Sequence, residues 1–390
     1  MRTNADLGEY RGKHLMQMLD SFHDRGLLRC DAAADLYMRD AASDTGAEPF
    51  GGSVFWESPD LWVRHAADGG TTPQDPEHGQ DNYFYARIWN RGTVLARAFV
   101  VTFNVKPWAG VQFAYPGDFV PFISAAVGFN LAPGASTVVK AKWPQALVPP
   151  TGTHVCLLGQ VYMPTDKPSA GQHVWDKNNL AQRNMTVINA APDEMVMMKF
   201  QLGTLHERVA GIYAVDLIRP ASAATIPVAL LASSSAETKK LFQSAQRVPG
   251  DEATVSPSSA PLASVHFADH TSAELSSRTI EAAGLRLNLA PGSSIELRRP
   301  EEPPPRVPFQ HMARLVEPQG QPAQIVFNEG RLARLPIHLQ PSSQIKCTLN
   351  IHVPKEARPG DSIKLQVALR RSDGKTAGGI SVIINVKPRN

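Results

Sequence analysis

The sequence has few cysteines, and they are far apart. Cys30, Cys156 and Cys347 each lie among apolar residues, and no C-x-x-C pair occurs in the 390 residues. A disulfide framework needs more cysteines than this, and a zinc site needs ligands at closer spacing. We therefore expect three buried thiols that take part in neither a disulfide nor a metal site.

An excess of one charge and a long hydrophobic run are also missing. The formal net charge is +3, and no run of Lys or Arg exceeds two residues. Such a chain lacks the basic surface of a nucleic-acid-binding protein, so nucleic acid is not an expected partner. No apolar run approaches the ~20 residues of a membrane span, and the first residues lack the apolar core of a secretion signal. We expect a chain that is cytoplasmic, or exported without a cleaved signal peptide.

Turn-forming residues, by contrast, are plentiful. The chain contains 32 Pro and 28 Gly, and 43% of its residues are hydrophobic. This composition is typical of many strands that are joined by tight turns and packed into cores. The length suits two β-sandwiches with some chain left over.

Residues 1–55 are predicted to form an N-terminal helix and an extended lead-in. One face of the helix is marked by apolar residues at three- and four-residue steps. They are Leu7, Tyr10, Leu15, Met18, Leu19 and Phe22. Gly26 is positioned to end the helix. The helix either packs on the neighbouring sandwich or docks another subunit.

Residues 56–190 are predicted to form a first sandwich. Phe84, Ala86 and Ile88 alternate with Tyr85, Arg87 and Trp89, which indicates a strand with two distinct faces. A second strand carries Phe99, Val101, Phe103 and Val105 on one face, and the apolar run 155–162 indicates a central strand covered on both sides. Met185 to Ile188 are predicted to close this unit.

Residues 195–390 are predicted to form a second sandwich, with the strongest period-2 pattern at its end. Ile345, Cys347, Leu349, Ile351 and Val353 alternate with polar residues, and residues 363–369 and 380–386 repeat the pattern. Residues 233–263 are rich in Ser, Ala and Pro and are interpreted as a mobile insertion. Residues 298–308 are interpreted as an extended proline-rich loop. An N-L-A-P-G-x-S turn occurs at both 130–136 and 288–294, which indicates repeated sandwich units.

Several motifs of the first unit occur in a recognisable order. The run Asn90-Arg91-Gly92-Thr93 ends a strand, NLAPGAST and HVCLLGQVYMP follow, and Asn178-Asn179-Leu180-Ala181 closes the series. Over about residues 58–190 the chain resembles the bacterial CARDB-type adhesion-related immunoglobulin-like domain. The resemblance implies tandem immunoglobulin-like sandwiches that serve as spacers, adhesive modules or scaffolds and share no catalytic residues. The C-terminal half resembles immunoglobulin-like domains more loosely.

Two groups of residues are candidate binding sites. The loop 68–81 carries Asp68, Asp75, Glu77 and Asp81, whose carboxylates could coordinate Ca²⁺, although their spacing differs from the D-x-D-x-D-G pattern. The pair Asp40 and Asp44 forms a second, smaller acidic cluster.

The second candidate is aromatic. Tyr85 and Trp89, with Trp62 nearby, lie on the strand face opposite the predicted core. If this face is open, it could bind a glycan or a protein partner. The alternative is that the N-terminal segment covers it.

Recognisable catalytic motifs are missing from the sequence. It has no G-x-S-x-G elbow and no phosphate-binding glycine loop, and His206-Glu207 lacks the second histidine of a zinc protease helix. We therefore expect a non-catalytic bacterial scaffold or adhesion-type protein that binds other protein subunits or self-assembles. The alternatives are a carbohydrate-binding module protein and a metal-binding accessory part of a secreted enzyme or toxin system.

Overall fold

The chain folds into two β-sandwiches in tandem, preceded by a helix. The structure is a computed structural model, and it describes residues 4–52, 54–106, 113–150, 154–203, 211–246, 263–266, 272–275, 294–297, 312–340, 343–371 and 376–389. The predicted fold class, all-β with tandem sandwiches and a short N-terminal helical segment, is confirmed.

Helix α1 spans Asn4–Asp24 and ends in a Schellman motif. Gly26 has a φ of 69°. Its N–H donates to the carbonyl of His23, and the N–H of Leu27 donates to the carbonyl of Phe22. Gly26 is suited to this position because it adopts the left-handed conformation without a Cβ penalty.

The first sandwich consists of two four-stranded sheets. In one sheet the long strand β3 pairs along one edge with β6 and along its other edge with both β1 and β2. In the other sheet the order is β5-β4-β7-β8. The strands are β1 (Leu36–Tyr37), β2 (Leu61–Arg64), β3 (Asn82–Asn90), β4 (Ala96–Lys106), β5 (Ser124–Leu131), β6 (Ser136–Trp143), β7 (Cys156–Tyr162) and β8 (Leu180–Arg183).

The core of the first sandwich confirms the predicted strand faces. Phe84, Ala86 and Ile88 are buried in one cluster together with Phe99, Val101 and Phe103. The ring of Phe84 stacks on those of Phe103 and Trp143, with centroid distances of 5.2 and 4.7 Å. Every residue of β7 is buried, as predicted for a central strand covered on both sides.

The second sandwich packs two five-stranded sheets. One sheet has the order β10-β19-β12-β17-β16, and the other has the order β18-β11-β20-β21-β9. The strands are β9 (Met185–Ala190), β10 (Met195–Gly203), β11 (Gly211–Ile218), β12 (Val228–Ala232), β16 (Ala313–Val316), β17 (Gln324–Phe327), β18 (Leu332–Leu339), β19 (Gln344–His352), β20 (Ser362–Arg371) and β21 (Thr376–Val386). All strand pairs are antiparallel except β9 with β21.

The region inserted in the second sandwich contains more regular structure than the sequence predicted. Helix α2 spans Ser235–Gln246, whereas residues 233–263 were interpreted as a mobile insertion. The N–H of Glu237 donates to the hydroxyl of Ser234, and Leu241 and Phe242 are buried. The S-x-x-E spacing of Ser234 and Glu237 is the N-terminal signal that could have predicted this helix.

Three further strands form a separate small antiparallel sheet of order β14-β13-β15. They are β13 (Ala263–His266), β14 (Ser272–Leu275) and β15 (Ser294–Leu297). The proline-rich stretch 298–308 and the second copy of the repeated turn, apart from its last residue, lie outside the described residues. Short 3₁₀ helices span Gln145–Leu147, Val174–Asp176 and Ala221–Ala223.

The predicted end of the first sandwich was wrong at β9. Met185 to Ile188 were assigned to the close of the first unit, but β9 pairs in parallel with β21 of the second sandwich. The alternation of a strand identifies its two faces, whereas its partner sheet depends on contacts with distant residues. The two sandwiches therefore meet at Asn184, the single residue between β8 and β9.

The three cysteines are buried, as predicted, and no disulfide joins them. Burial raises the pKa of the Cys347 thiol to about 12. In the parts of the chain that the structure describes, neither helix has the length and apolar character needed to cross a membrane.

Candidate functional site

The predicted aromatic face is covered. Tyr85 and Trp62 are only 1% and 3% exposed, and their rings stack at 5.5 Å. The loop after β2 folds over them. The indole N–H of Trp62 donates to the carbonyl of Gly70 (2.9 Å), and the N–H of Gly69 donates to the Tyr85 hydroxyl (3.0 Å). The structure therefore contradicts an open binding surface at Tyr85.

Trp89 is covered by a different segment. The lead-in to the first sandwich places the Tyr37 ring 6.3 Å and the Arg39 guanidinium 4.9 Å from the Trp89 ring. The indole N–H of Trp89 donates to Asp60, which also accepts two hydrogen bonds from the Arg39 side chain. The N-terminal segment thus covers Trp89, while the loop after β2 covers Tyr85 and Trp62.

The acidic loop is held by cations of the protein itself. Asp68 pairs with Arg64 at 2.5 Å, and Asp81 pairs with Lys142 at 2.6 Å. The hydrogen bond from Arg64, followed by that from the Gly70 N–H, lowers the pKa of Asp68 to about 2. The hydrogen bond from Lys142 lowers the pKa of Asp81.

The other two acidic residues of the loop contact a histidine. Glu77 lies 3.2 Å from Nδ1 of His65, whose Nε2 lies 2.7 Å from the backbone carbonyl of Asp75. Within the described ranges, no three His, Cys, Asp or Glu side chains are grouped so that they could hold a metal ion. The loop is shaped by separate ion pairs, and its carboxylates do not converge on one point.

The second acidic pair is buried. Asp40 is 3% exposed, and its backbone N–H donates to the Asp44 carboxylate at 2.8 Å. The N–H of Gly46 donates to the same carboxylate. Burial, and then the nearby Asp44, raise the pKa of Asp40 well above its usual value. Asp44 therefore shapes the turn through these two backbone hydrogen bonds.

The asparagines of the recognised motifs hold the lead-in in place. The Asn90 side chain donates to the carbonyls of Val94 and Leu131, which joins two turns. The side-chain amides of Asn178 and Asn179 donate to the carbonyls of Gly46 and Leu36. These motif residues have a structural role.

The junction between the sandwiches is built around Asn184. Its N–H donates to the carbonyl of Trp56 (2.7 Å), and its side-chain amide donates to the carbonyl of Gly379 (2.8 Å). Its own carbonyl accepts the N–H of Ser381 (3.0 Å). Asn184 is fully buried, so these bonds replace water on the one-residue connection between β8 and β9.

Trp56 extends from the first sandwich into the second. It is fully buried, its indole N–H donates to the Ser381 hydroxyl (3.1 Å), and its ring occupies the place of the missing Cβ of Gly379. One apolar cluster includes Trp56 and Leu158 of the first sandwich and Ile380 and Val382 of the second. The apolar core of the second sandwich therefore extends across the junction to residues of the first unit, whereas the core between the two sheets of the first sandwich is a separate cluster.

Glu57 adds a polar connection. Its carboxylate accepts hydrogen bonds from Lys364 (2.5 Å), Gln366 (2.8 Å) and Ser381. Burial alone raises the pKa of Glu57, but the three hydrogen bonds together outweigh burial, so the pKa lies below its usual value. Glu57 is therefore ionised at neutral pH, with its carboxylate accepting these three hydrogen bonds.

His154 lies at the same junction. Its Nδ1 is hydrogen-bonded to the hydroxyl of Thr186 on β9, and its Nε2 lies 3.4 Å from Oδ1 of Asn184. Burial lowers the pKa of His154 to about 4. The imidazole is therefore neutral in the folded protein at pH 7.

The junction is expected to weaken in acid because of His154. The unfolded chain protonates this histidine near pH 6.5 and the folded chain only near pH 4, so stability falls as the pH decreases between these values. We expect His154 to cost on the order of 2 kcal/mol at pH 5 relative to pH 8. Urea unfolding from pH 5 to 8 measures this cost. His154→Gln should flatten the dependence of the unfolding free energy on pH, whereas replacing the exposed His338 should leave it unchanged. If His154→Gln kept the slope of the parent, the loss in acid could not be assigned to His154.

An apolar groove lies beside helix α1 on the outer face of β4 and β5. Helix α1 packs on β4 and β5 through Leu19, which is buried against Ala98 and Val100. Beside this contact, side chains of α1, of the chain after it and of the two strands line a cavity of about 650 Å³. Four of its large apolar lining side chains are exposed: Met18 (38%), Phe22 (40%), Leu27 (72%) and Phe129 (64%). Helix α1 therefore packs on the sandwich, as the first interpretation predicts. It also presents an exposed apolar surface, which docking of another subunit requires.

No protein-family model and no curated protein matches the sequence. Among solved structures, a family 123 glycoside hydrolase from Clostridium perfringens is similar at 11% identity and a TM-score of 0.23. This match covers 53% of this chain but only 23% of the hydrolase chain.

Two further bacterial structures are also similar. The C-terminal domain of the Streptococcus pyogenes antigen I/II-family protein AspA matches at 7% identity and a TM-score of 0.19, covering 84% of this chain and 99% of that one. The collagen adhesin of S. aureus matches at 6% identity and a TM-score of 0.20, covering 84% and 92%. These similarities are too low to carry an argument about function.

Sequence reasoning missed the junction residues. Trp56, Glu57 and Asn184 carry no local signal, because their partners lie about two hundred or more positions later in the chain. The sequence signal that could have marked the junction is a single asparagine, Asn184, between two strand-like stretches.

Proposed function

We propose that this chain is a non-catalytic scaffold of adhesion type, which holds two sandwich domains as one rigid unit for contact with other proteins. The observation that supports the proposal is the one-residue connection at Asn184, whose backbone and side chain are bonded to both sandwiches. Flexible spacers between domains use exposed polar linkers, and their domains move relative to one another. A buried connection with an apolar cluster that crosses it suits a part that sets fixed distances in an assembly.

The proposal includes a relationship to CARDB-type immunoglobulin-like domains for about residues 58–190. The structural role of Asn90, Asn178 and Asn179 supports it, since the recognised motifs then serve the fold. It requires neither a catalytic residue nor a cofactor. We do not propose glycan binding at Tyr85, because the loop after β2 covers that ring.

The test is to uncouple the sandwiches. A flexible Gly/Ser linker inserted between Arg183 and Asn184 should broaden the small-angle X-ray scattering distance distribution and weaken capture of protein partners from the native cells. The same linker inserted between Gln319 and Gly320, in an exposed turn, should change neither. Unchanged scattering after the Arg183–Asn184 insertion would contradict rigidity. A reaction catalysed by the pure chain and abolished by one polar substitution would contradict the non-catalytic role.

A further inference from the structure

The exposed side of α1 carries a continuous row of large side chains. Tyr10, His14, Met18 and Phe22 follow one another at four-residue steps, and each of the four is exposed. The rings of Tyr10 and His14 stack at 5.8 Å. Side chains at i, i+4 and i+8 form one ridge along a helix, and such a ridge is the surface on which a second helix packs.

The groove extends this row onto the sheet. The Schellman motif turns the chain at Gly26 and places Leu27 with Phe22 in the groove lining, and Phe129 of β5 contributes the other side. Single exposed apolar residues are ordinary on a protein surface, whereas a contiguous group beside a groove marks a contact site. The surface is thus continuous from the helix row to the strand.

The charges at the groove select its occupant. Its lining contains two arginines, Arg29 and Arg97, and no acidic residue. The Arg29 side chain is 82% exposed and lies 3.9 Å from the Asp31 carboxylate. A second copy of this chain would bring the same two arginines to the contact. A partner with acidic residues beside its apolar side chains complements them instead.

We propose that the α1 groove binds an amphipathic helix of a partner protein, with apolar side chains in the groove and acidic residues against Arg29 and Arg97. This inference rests on the proposed scaffold function and names the class of its partner. The ridge on α1 favours a helix, because an added strand would bind through the backbone of a sheet edge.

The probe is a synthetic peptide of about 20 residues, long enough to form a helix in the complex. It carries leucines at i, i+3, i+4 and i+7 with flanking glutamates, and a matched peptide carries lysines in their place. Fluorescence anisotropy with the full chain should show at least about tenfold tighter binding of the glutamate peptide. The preference should shrink when ionic strength rises from about 0.1 M to about 1 M, because screening shortens from about 10 Å to about 3 Å.

Variants locate the binding. Phe22→Asp and Leu27→Asp should each weaken the glutamate peptide about tenfold or more. The double variant R29E/R97E should reverse the preference between the two peptides. Leu95→Asp, at an exposed apolar residue outside the groove, is the matched control and should bind as the parent does.

Three results would overturn the inference: equal affinity for both peptides, no loss in Phe22→Asp and Leu27→Asp, or a dimer in light scattering that Phe129→Asp dissociates. The last would identify a second copy as the occupant. The linker-insertion scattering experiment does not involve this groove, so it tests the scaffold function separately. A failed peptide experiment with an intact scattering result leaves the rigid scaffold in place.

Discussion

Replacing Trp56 by alanine is expected to lower the free energy of unfolding by about 3–5 kcal/mol. The side chain is fully buried, and it joins the apolar cluster shared by both sandwiches. Its loss also leaves the Ser381 hydroxyl without the indole donor. Urea unfolding followed by far-UV circular dichroism measures the change without depending on tryptophan fluorescence.

The same variant should change how the chain unfolds. The parent is expected to unfold in one transition, because an apolar cluster and several buried hydrogen bonds connect the two sandwiches at the junction. Trp56→Ala should separate this into two transitions in calorimetry, since the sandwiches then lose their main apolar connection. Leu95→Ala, at an exposed position, should cost less than about 0.5 kcal/mol and keep one transition. A small loss in Trp56→Ala, with a single transition, would argue against apolar coupling of the sandwiches through the junction.

Replacing Asp216 by alanine is expected to destabilise the second sandwich by about 3–5 kcal/mol. Asp216 is fully buried on β11 and accepts two hydrogen bonds from Arg334 on β18, at 2.6 and 2.7 Å. Arg370 on β20 donates a third, at 2.8 Å. Removing the carboxylate leaves two guanidinium groups in a largely buried place without their shared counter-charge.

Two controls separate the lost ion pair from a general loss of packing. Glu356→Ala removes an exposed carboxylate and should cost less than about 0.5 kcal/mol. The triple variant D216L/R334M/R370M replaces the whole cluster with apolar side chains and should recover most of the stability, as apolar replacement of buried ion pairs often does. If the triple variant were as unstable as Asp216→Ala, packing and not charge would explain the loss.

Substitutions at the junction test the proposed function as well as stability. Trp56, Glu57 and Asn184 bond to β20 or β21, so a change at any of them alters how one sandwich is held against the other. Stability measurements on the junction and scattering on the linker variant therefore address the same property. The groove on α1 shares no lining residue with Trp56, Glu57 or Asn184, so it can be altered independently of the junction.

Much of the fold could be predicted because its signals are local. The alternation of Phe84, Ala86 and Ile88 with polar or covered neighbours is a property of consecutive residues, and the burial of β7 follows from its unbroken apolar run. Gly26 at the end of α1 was likewise readable, since a left-handed residue there favours glycine. Helix α2 was missed because its serine-rich setting outweighed a capping signal that was present.

The candidate sites show where local signals end. Tyr85 and Trp62 were placed on the correct face, but no local pattern reveals that Gly69 and Gly70 fold over them. The four carboxylates of loop 68–81 are close in sequence, yet Arg64, His65 and Lys142 engage three of the side chains separately. Coverage and pairing both depend on how the chain returns on itself.

The sequence by itself determined the all-β class, the inward faces of the main strands, the N-terminal helix and the three buried thiols. Only the tertiary structure decided that β9 belongs to the second sandwich, that Asn184 is the junction, and that α1 leaves a groove beside Phe129. The reason is physical. Periodicity reflects which side of an element avoids water, whereas the choice of partner depends on contacts between residues far apart in sequence.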